Sequence, residues 1–181
     1  MRLHEERVSG ERVFTGRVIN LNVDRIRLLD GSPTIREVVE HPGGVTIAAL
    51  TEQNELYMVR QFRYPFREVL LELPAGRLEP GEPSLEAAKR EQLEETGTRG
   101  ERYLSLGVCY ATPAYCTERI HLWACRVTDV GAQRLDPGEF LELERVPLER
   151  AVELVLTNRI PDAKTQIGIL KVHALVLRGE L

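Results

Sequence analysis

The sequence predicts an α/β (α+β) fold, and three features of its patterning predict it. Segments rich in Val, Ile and aromatic residues recur from the first dozen positions to Val146. A lone helix with its own start and stop signals interrupts them, and two helical stretches close the chain. At 181 residues, 43% hydrophobic and 29% charged, the chain has the length of one domain with an appendage and the composition of a packed core.

Taken in order, residues 12–18 and 20–28 read as strands, and Asp30-Gly31 as the turn into a third strand at 34–40. His41-Pro42-Gly43-Gly44 then breaks the chain. It sets the expected boundary between a small β-rich segment, 1–40, and a larger domain, 41–181. Residues 45–50 and 56–62, separated by a polar stretch, form an expected hairpin, and 69–73 is a short strand ending at Pro74-Ala75-Gly76. Ser84 is placed as the N-cap of a helix that Gly97 stops. Strands are expected at 103–110, 119–127 and 140–146. A helix over 148–157 spaces Val152 and Val155 three apart. Asp162 caps the last helix, whose Ile167, Leu170, Ala174 and Leu177 make the expected core stripe before Gly179.

Composition excludes several functions. A formal charge of −4 argues against binding along a nucleic-acid backbone. No run approaches the ~18 apolar residues of a membrane span, and Met1 to Glu6 lack the apolar core of a secretory leader. Three cysteines, Cys109, Cys116 and Cys125, are an odd number without metal-type spacing. Cys109 and Cys125 are expected to pack as small hydrophobes, which points to a reducing, cytoplasmic setting. Trp123 reads as core, and His41, His121 and His173 as structural histidines.

The chemistry concentrates between Gly76 and Thr98. Glu91 and Glu95 lie four residues apart, with Glu94 three from Glu91, so a helix projects all three from neighbouring positions. In water such like charges repel by ~0.2–0.5 kcal/mol per pair. A hard divalent cation, Mg²⁺ or Mn²⁺, reverses that sign because it wants oxygen ligands.

The spacing Gly76, five residues, Glu82, seven residues, Arg90-Glu91, two residues, Glu94-Glu95, one residue, Gly97 resembles the Nudix box. Two apolar positions of that pattern are polar here, Gln92 and Thr98. Gln92 points toward the face where the helix packs, and is expected to cost some stability. The resemblance implies a mixed sheet sandwiched between helices, with a loop–helix–loop that holds divalent metals. It implies Glu91 and Glu95 as the principal ligands, Glu94 as a further ligand or water-mediated catalytic contact, and the Ala75 carbonyl as another. Glu82 would act through Arg90, with Gly76 and Gly97 shaping the loops.

Beyond the box, Arg36-Glu37-Val38-Val39, His41-Pro42-Gly43, residues 59–65 and 71–76, Pro113, Thr117-Glu118-Arg119 and Asp162-Ala163-Lys164-Thr165 resemble the ADP-ribose pyrophosphatase branch. A diphosphate needs positive charge, and Arg60, Arg63 and Arg67 lie among Phe62, Tyr64 and Phe66. The resemblance selects Arg63, with Arg36, Glu118 and Pro113 as further substrate contacts; Phe14 suits either an adenine surface or the core. It also places a general base in the loop 135–140, Glu139 first and Asp136 second, with Gly138 where a carboxylate is often found. The implied activity is Mg²⁺-dependent hydrolysis of ADP-ribose to AMP and ribose 5-phosphate by a homodimer whose N-terminal strands pack across the two-fold axis, with no nucleic-acid or membrane partner. Two alternatives stand beside it: hydrolysis of another nucleoside diphosphate sugar or a damaged nucleotide, and a non-catalytic ADP-ribose-binding module.

Overall fold

A computed structural model of the chain describes residues 3–181. Met1 and Arg2, with which the leader reading begins, lie outside the described residues. The chain forms two compact units, one running to Gly43 and including Tyr110–Arg119, the other made of Gly44–Cys109 and Ile120–Leu181.

The first unit is a three-stranded antiparallel sheet of β1 (Glu6–Thr15), β2 (Asn20–Arg27) and β3 (Pro33–Glu40) in that order. Its first strand begins six residues earlier than expected and stops at Thr15. All ten residues of β1 are exposed, so no buried face imposes an alternation by which sequence could mark its ends. The Asp30-Gly31 turn forms as expected, with Gly31 at φ +83° and its N–H donating to the Leu28 carbonyl at 3.0 Å. The returning segment Tyr110–Arg119 fastens to β3. The Val39 N–H donates to the Tyr115 carbonyl at 2.7 Å, and the Thr117 N–H to the Val39 carbonyl at 2.9 Å. Nothing in local patterning foreshadows that return.

The second unit holds a seven-stranded mixed sheet in the order β10–β5–β4–β9–β8, with β6 also on β5 and β7 also on β4. The strands are β4 (Gly44–Leu50), β5 (Glu55–Arg63), β6 (Glu68–Glu72), β7 (Ala75–Arg77), β8 (Thr98–Cys109), β9 (Ile120–Val130) and β10 (Leu141–Pro147). Central β4 runs parallel to β9 and is buried along its whole length. Burial on both faces explains why it reads as an unbroken apolar run. Val45, Ile47 and Ala49 face helix α1 (Ser84–Thr96) with its Ala87 and Ala88. Ala48 and Leu50 face α2 (Leu148–Leu156) and α3 (Ala163–Leu177) through Val152, Val155, Ile169 and Val172. The sheet is thus sandwiched, as expected.

Four local expectations are corrected. The hairpin of β4 and β5 pairs only at its turn, Leu50 with Leu56. Beyond it β4 turns to β7 and β9 instead. Strand β8 starts at Thr98, directly after the helix, and three register irregularities hide its period. Helix α1 is capped by the backbone of Pro83, with no side-chain cap, and Ser84 is its first residue. In α3 the buried positions are Lys164, Thr165, Gly168, Ile169 and Val172, whereas Leu170 and Leu177 are exposed. That helix is apolar on most sides, so period alone does not select a face; contacts at its N-terminus set its rotation. Gly97 at φ +68° and the Asp162 side chain, accepting from the Thr165 N–H at 3.0 Å, end and cap their helices as expected. Among the described residues no helix is long and apolar enough to cross a membrane.

Candidate active site

Helix α1 has an unusual inward face: apart from Ala87 and Ala88, its buried residues are Glu91, Gln92, Glu95 and Thr96. The two stripes do different things. Gln92, fully buried, donates to Thr98 Oγ1 at 3.0 Å and accepts from the Tyr103 hydroxyl at 2.9 Å, and the Cys125 thiol lies 3.6 Å away. Thr96 and Thr98 share a further bond at 2.7 Å. The two positions that depart from the expected apolar pattern therefore bond to each other. Gln92 closes a network instead of compromising the packing. Burial pushes the Cys125 thiol up to about 12, so it is an unreactive packing group as expected.

The neighbouring stripe carries the carboxylates. Glu95 is 2% exposed and accepts from the Ala75 N–H at 3.1 Å. Burial, with the nearby charges of Glu91 and Glu139, pushes its carboxyl up to about 8. Glu91 is raised as well, by burial first, against the opposing pull of Arg90. Its carboxylate lies against Gly76: a Cβ there would sit 1.8 Å from Oε1. With a side chain there the Glu91 carboxylate would have to move, so glycine admits it in this position.

Arg90 ties the loop to the helix. Its Nε and Nη2 each bond Glu82 at 3.0 Å, Nη2 reaches the Arg77 carbonyl at 3.1 Å, and Nη1 reaches Glu91 at 2.7 Å and Glu94 at 3.1 Å. Glu82 lies below its usual range because of that pairing, and Arg90 is raised correspondingly. Arg90 and Glu82 thus form a two-bond ion pair between loop and helix.

The loop after β9 docks on the end of the same helix. The Arg134 N–H donates to the Glu94 carbonyl at 2.8 Å, Gln133 Nε2 to the Glu95 carbonyl at 2.5 Å, and the Gly131 N–H to the Gly97 carbonyl at 2.8 Å. A Cβ on Gly97 would meet the Gly131 carbonyl at 2.4 Å, so the helix stop also admits this loop. Glu139 is half-buried and close enough to raise both Glu91 and Glu95, whereas the Asp136 side chain is exposed and contributes only its carbonyl, to the Glu139 N–H at 3.0 Å. Gln133 and Arg134 were not singled out from the sequence, because backbone docking leaves no residue-type signal.

Arg63, on β5, is engaged: its Nε and Nη2 bond the two oxygens of Glu72 at 2.6 and 2.7 Å. Arg60 pairs with Glu144 at 2.7 Å, and Arg67 stacks on Tyr64. Arg36, Pro113 and Glu118 belong to the other compact unit. There Arg36 is gripped by both oxygens of Glu5, at 3.1 and 2.6 Å, Pro113 is exposed, and Glu118 lies 3.4 Å from His41 Nδ1. Phe14 is exposed, not core, while Trp123 is partly buried against the core on the α1 side.

Among the described residues no three His, Cys, Asp or Glu side chains are grouped so that they alone could hold a metal ion. The donor set nevertheless suits a hard divalent cation. Two buried carboxylates held above their usual range, one of them resting against Gly76, supply oxygen ligands alone. Glu91, Glu95 and the Ala75 carbonyl are the groups that would hold it, with Glu94 at the rim.

The NUDIX domain family model matches residues 40–166, most of the chain. The chain belongs to the Nudix family. Divalent-cation dependence is general to Nudix hydrolases. A curated Nudix relative, the ADP-ribose pyrophosphatase of Bacillus subtilis (strain 168), is 37% identical over 169 residues, covering 92% of this chain and 91% of that protein. The methanol dehydrogenase activator of Bacillus methanolicus is 37% identical over 167 residues, 91% of this chain and 90% of its own. A crystal structure of an ADP compounds hydrolase superposes over 100% of both chains with a TM-score of 0.85 at 20% identity, a likeness of fold.

Proposed function

We propose that this Nudix protein is a Mg²⁺-dependent ADP-ribose pyrophosphatase, with Mn²⁺ as a substitute ion, that hydrolyses ADP-ribose to AMP and ribose 5-phosphate. The reaction class rests on the buried Glu91 and Glu95, with the Glu91 carboxylate against Gly76 and Glu139 near enough to influence both. The choice of ADP-ribose rests on the near full-length likeness to the Bacillus subtilis pyrophosphatase.

When bound, the cation neutralises the diphosphate and acidifies water. Glu91, Glu95 and the Ala75 carbonyl would hold it, with Glu94 as a further ligand or water-mediated contact. Glu139 takes the proton of the attacking water, for which its half-buried place opposite the carboxylates suits it; Asp136 is the second choice. Water oxygen adds to one phosphorus, the bridging P–O bond breaks, and the leaving phosphate departs as a phosphomonoester. Arg63 faces the diphosphate, and Arg36, Glu118 and Pro113 contact the substrate in the assembled protein. Arg90 and Glu82 fix the loop on the helix, and Gly76 and Gly97 make room for Glu91 and for the docked loop.

The assembly proposed is a homodimer formed through the N-terminal segment 1–40, with 41–181 as the hydrolase domain. The exposed β1, carrying Val8, Val13 and Phe14 in the open, supports it. An odd number of cysteines, three, suits a reducing, cytoplasmic compartment.

The test is phosphomonoester release, detected with a coupled phosphatase, from ADP-ribose, GDP-mannose, NADH and 8-oxo-dGTP with and without Mg²⁺. Mg²⁺-dependent release that is greatest from ADP-ribose is expected. A higher kcat/KM for GDP-mannose moves the chain to another nucleoside diphosphate sugar, and binding of ADP-ribose without turnover makes it a non-catalytic module.

A further inference from the structure

A second charged cluster in the larger unit takes no part in the carboxylate stripe of α1. At its centre is Glu72, the last residue of β6, only 1% exposed. Its Oε1 accepts from Arg63 Nε at 2.6 Å, and its Oε2 accepts from Arg63 Nη2 at 2.7 Å and from Lys164 Nζ. Lys164 also reaches Asp162 Oδ2 at 2.9 Å, the oxygen that caps α3. Two cations and two anions therefore balance, with Glu72 shut off from solvent and Arg63 on the open side.

Stability alone does not account for such a cluster. A buried ion network is often no more stable than an apolar set of the same volume, because desolvation offsets the attraction. What the charges supply is direction. Both Arg63 bonds use the Nε–Nη2 edge of the guanidinium, so the Nη1 donors lie on the edge away from Glu72. The Arg63 side chain keeps 36% of its surface exposed, and its charge is near enough to Glu95 for each to influence the other.

Lys164 holds Glu72 in its turn. Its Nζ reaches Glu72 Oε2 and Asp162 Oδ2, so the carboxylate that grips Arg63 is itself fixed to the start of α3.

The cluster also begins a strap. The Leu73 N–H donates to Thr165 Oγ1 at 3.0 Å, the Pro74 carbonyl accepts from the Ile47 N–H and from Thr46 Oγ1, each at 3.0 Å, and the Ala75 N–H is held by Glu95. With Glu72, these residues form a run of four fastened in turn to α3, β4 and α1, and the run ends at Ala75 against Glu95.

We infer that Glu72 and Lys164 are positioning residues: Glu72 holds Arg63 by one edge, Lys164 fixes Glu72, and the other edge of Arg63 is presented to the substrate diphosphate. This rests on the reading of the site as a diphosphate hydrolase.

The test is steady-state kinetics of the full chain with ADP-ribose for Arg63→Ala, Glu72→Gln, Glu72→Asp, Lys164→Met and the Arg63→Ala/Glu72→Gln double variant, each checked for fold by circular dichroism. A charged hydrogen bond lost to substrate raises KM about tenfold, and that rise is expected for Arg63→Ala and Glu72→Gln with kcat held within about threefold. The double variant should be no worse than Arg63→Ala, because Glu72 acts through Arg63. Lys164→Met should raise KM and leave kcat. Glu72→Asp keeps the charge, retracts the anchor by one methylene, and should raise KM in a chain that folds normally, which covers the case in which Glu72→Gln does not fold. A parental KM in folded Glu72→Asp or Lys164→Met, or effects of Arg63→Ala and Glu72→Gln that multiply, overturns the inference. The substrate reading fails separately: a parent inert to ADP-ribose sinks it, and the same ratios are then read on whichever diphosphate the parent cleaves. A parent inert to every diphosphate overturns both.

Discussion

Glu95 carries two properties that a solvated helix face would not have: near-complete burial and a carboxyl pushed up to about 8. Replacing it by Gln keeps the shape and the acceptor for the Ala75 N–H while removing a charge that burial disfavours. Glu95→Gln should therefore fold with unchanged or higher thermal stability, yet lose on the order of 100-fold in turnover; equal rates for variant and parent would remove Glu95 from the ligand set. The raised carboxyl also gives a pH dependence. Without a divalent ion the folded chain binds more protons at Glu95 than the unfolded chain does, from the ordinary carboxyl range up to about 8. Stability from this group is thus full below that ordinary range and lost as pH rises through the folded value. A bound cation competes with the proton, so its stabilisation grows across the same window. Thermal melts in a chelator should fall between about pH 5 and 8.5, and Mg²⁺ should raise the midpoint more at about pH 8 than at 6. An identical Mg²⁺ effect at both values would separate Glu95 from the ion.

At the scale of elements, α1 is held without an apolar stripe. Small Ala87 and Ala88 let it approach β4, and the Gln92, Thr98 and Tyr103 network sets its rotation. Gln92→Leu should cost ~1–3 kcal/mol, because it removes the buried bonds to the Thr98 and Tyr103 hydroxyls and takes from the Tyr103 O–H its acceptor. Adding Thr98→Val should cost less than the sum of the two single changes, since the pair shares one bond; strict additivity in denaturant melts would argue against the coupling. The docked loop of Gln133 to Glu139 is the second element of the site. Glu139→Gln is expected to lower kcat by ~10²-fold or more and Asp136→Asn by far less. The reverse order would transfer the base to Asp136.

For the whole molecule, the N-terminal sheet is the feature a single copy leaves unexplained. Its ten-residue edge strand is exposed throughout, with Val8, Val13 and Phe14 at 58, 50 and 54%, and such an edge is an open template for pairing. Sedimentation should give about 41 kDa, twice the 20.5 kDa of the chain. A Val13→Asp/Phe14→Asp variant should shift toward monomer; a parental chain that sediments at the monomer mass removes the dimer. Legibility differed by region for physical reasons. The apolar run of β4, the Gly97 stop and the Asp162 cap were readable because one residue type meets one local requirement. The extent of β1, the rotation of α3 and the onset of β8 were not, since an exposed strand, a helix apolar on most sides and a bulged strand each lack a single period. Within the site, Glu91, Glu94 and Glu95 were legible from helical spacing, and Gly76, Glu82 and Arg90 from the motif. Glu72 had left a trace, a carboxylate inside the apolar stretch Leu71-Glu72-Leu73, but its partner Lys164 lies 92 residues away.

Sequence by itself determined the chemistry: which residues are acidic, their helical spacing, and where glycine must stand, because these follow from side-chain type and backbone geometry over one or two turns. Tertiary structure decided the environment: which carboxylate is buried, that Gln92 meets Thr98 and Tyr103, that Glu139 and not Asp136 turns inward, and that Glu72 joins Arg63 to Lys164. Those outcomes depend on desolvation and on contacts between distant segments, which exist only once the sheet has brought α1, α3 and the docked loop to its two faces.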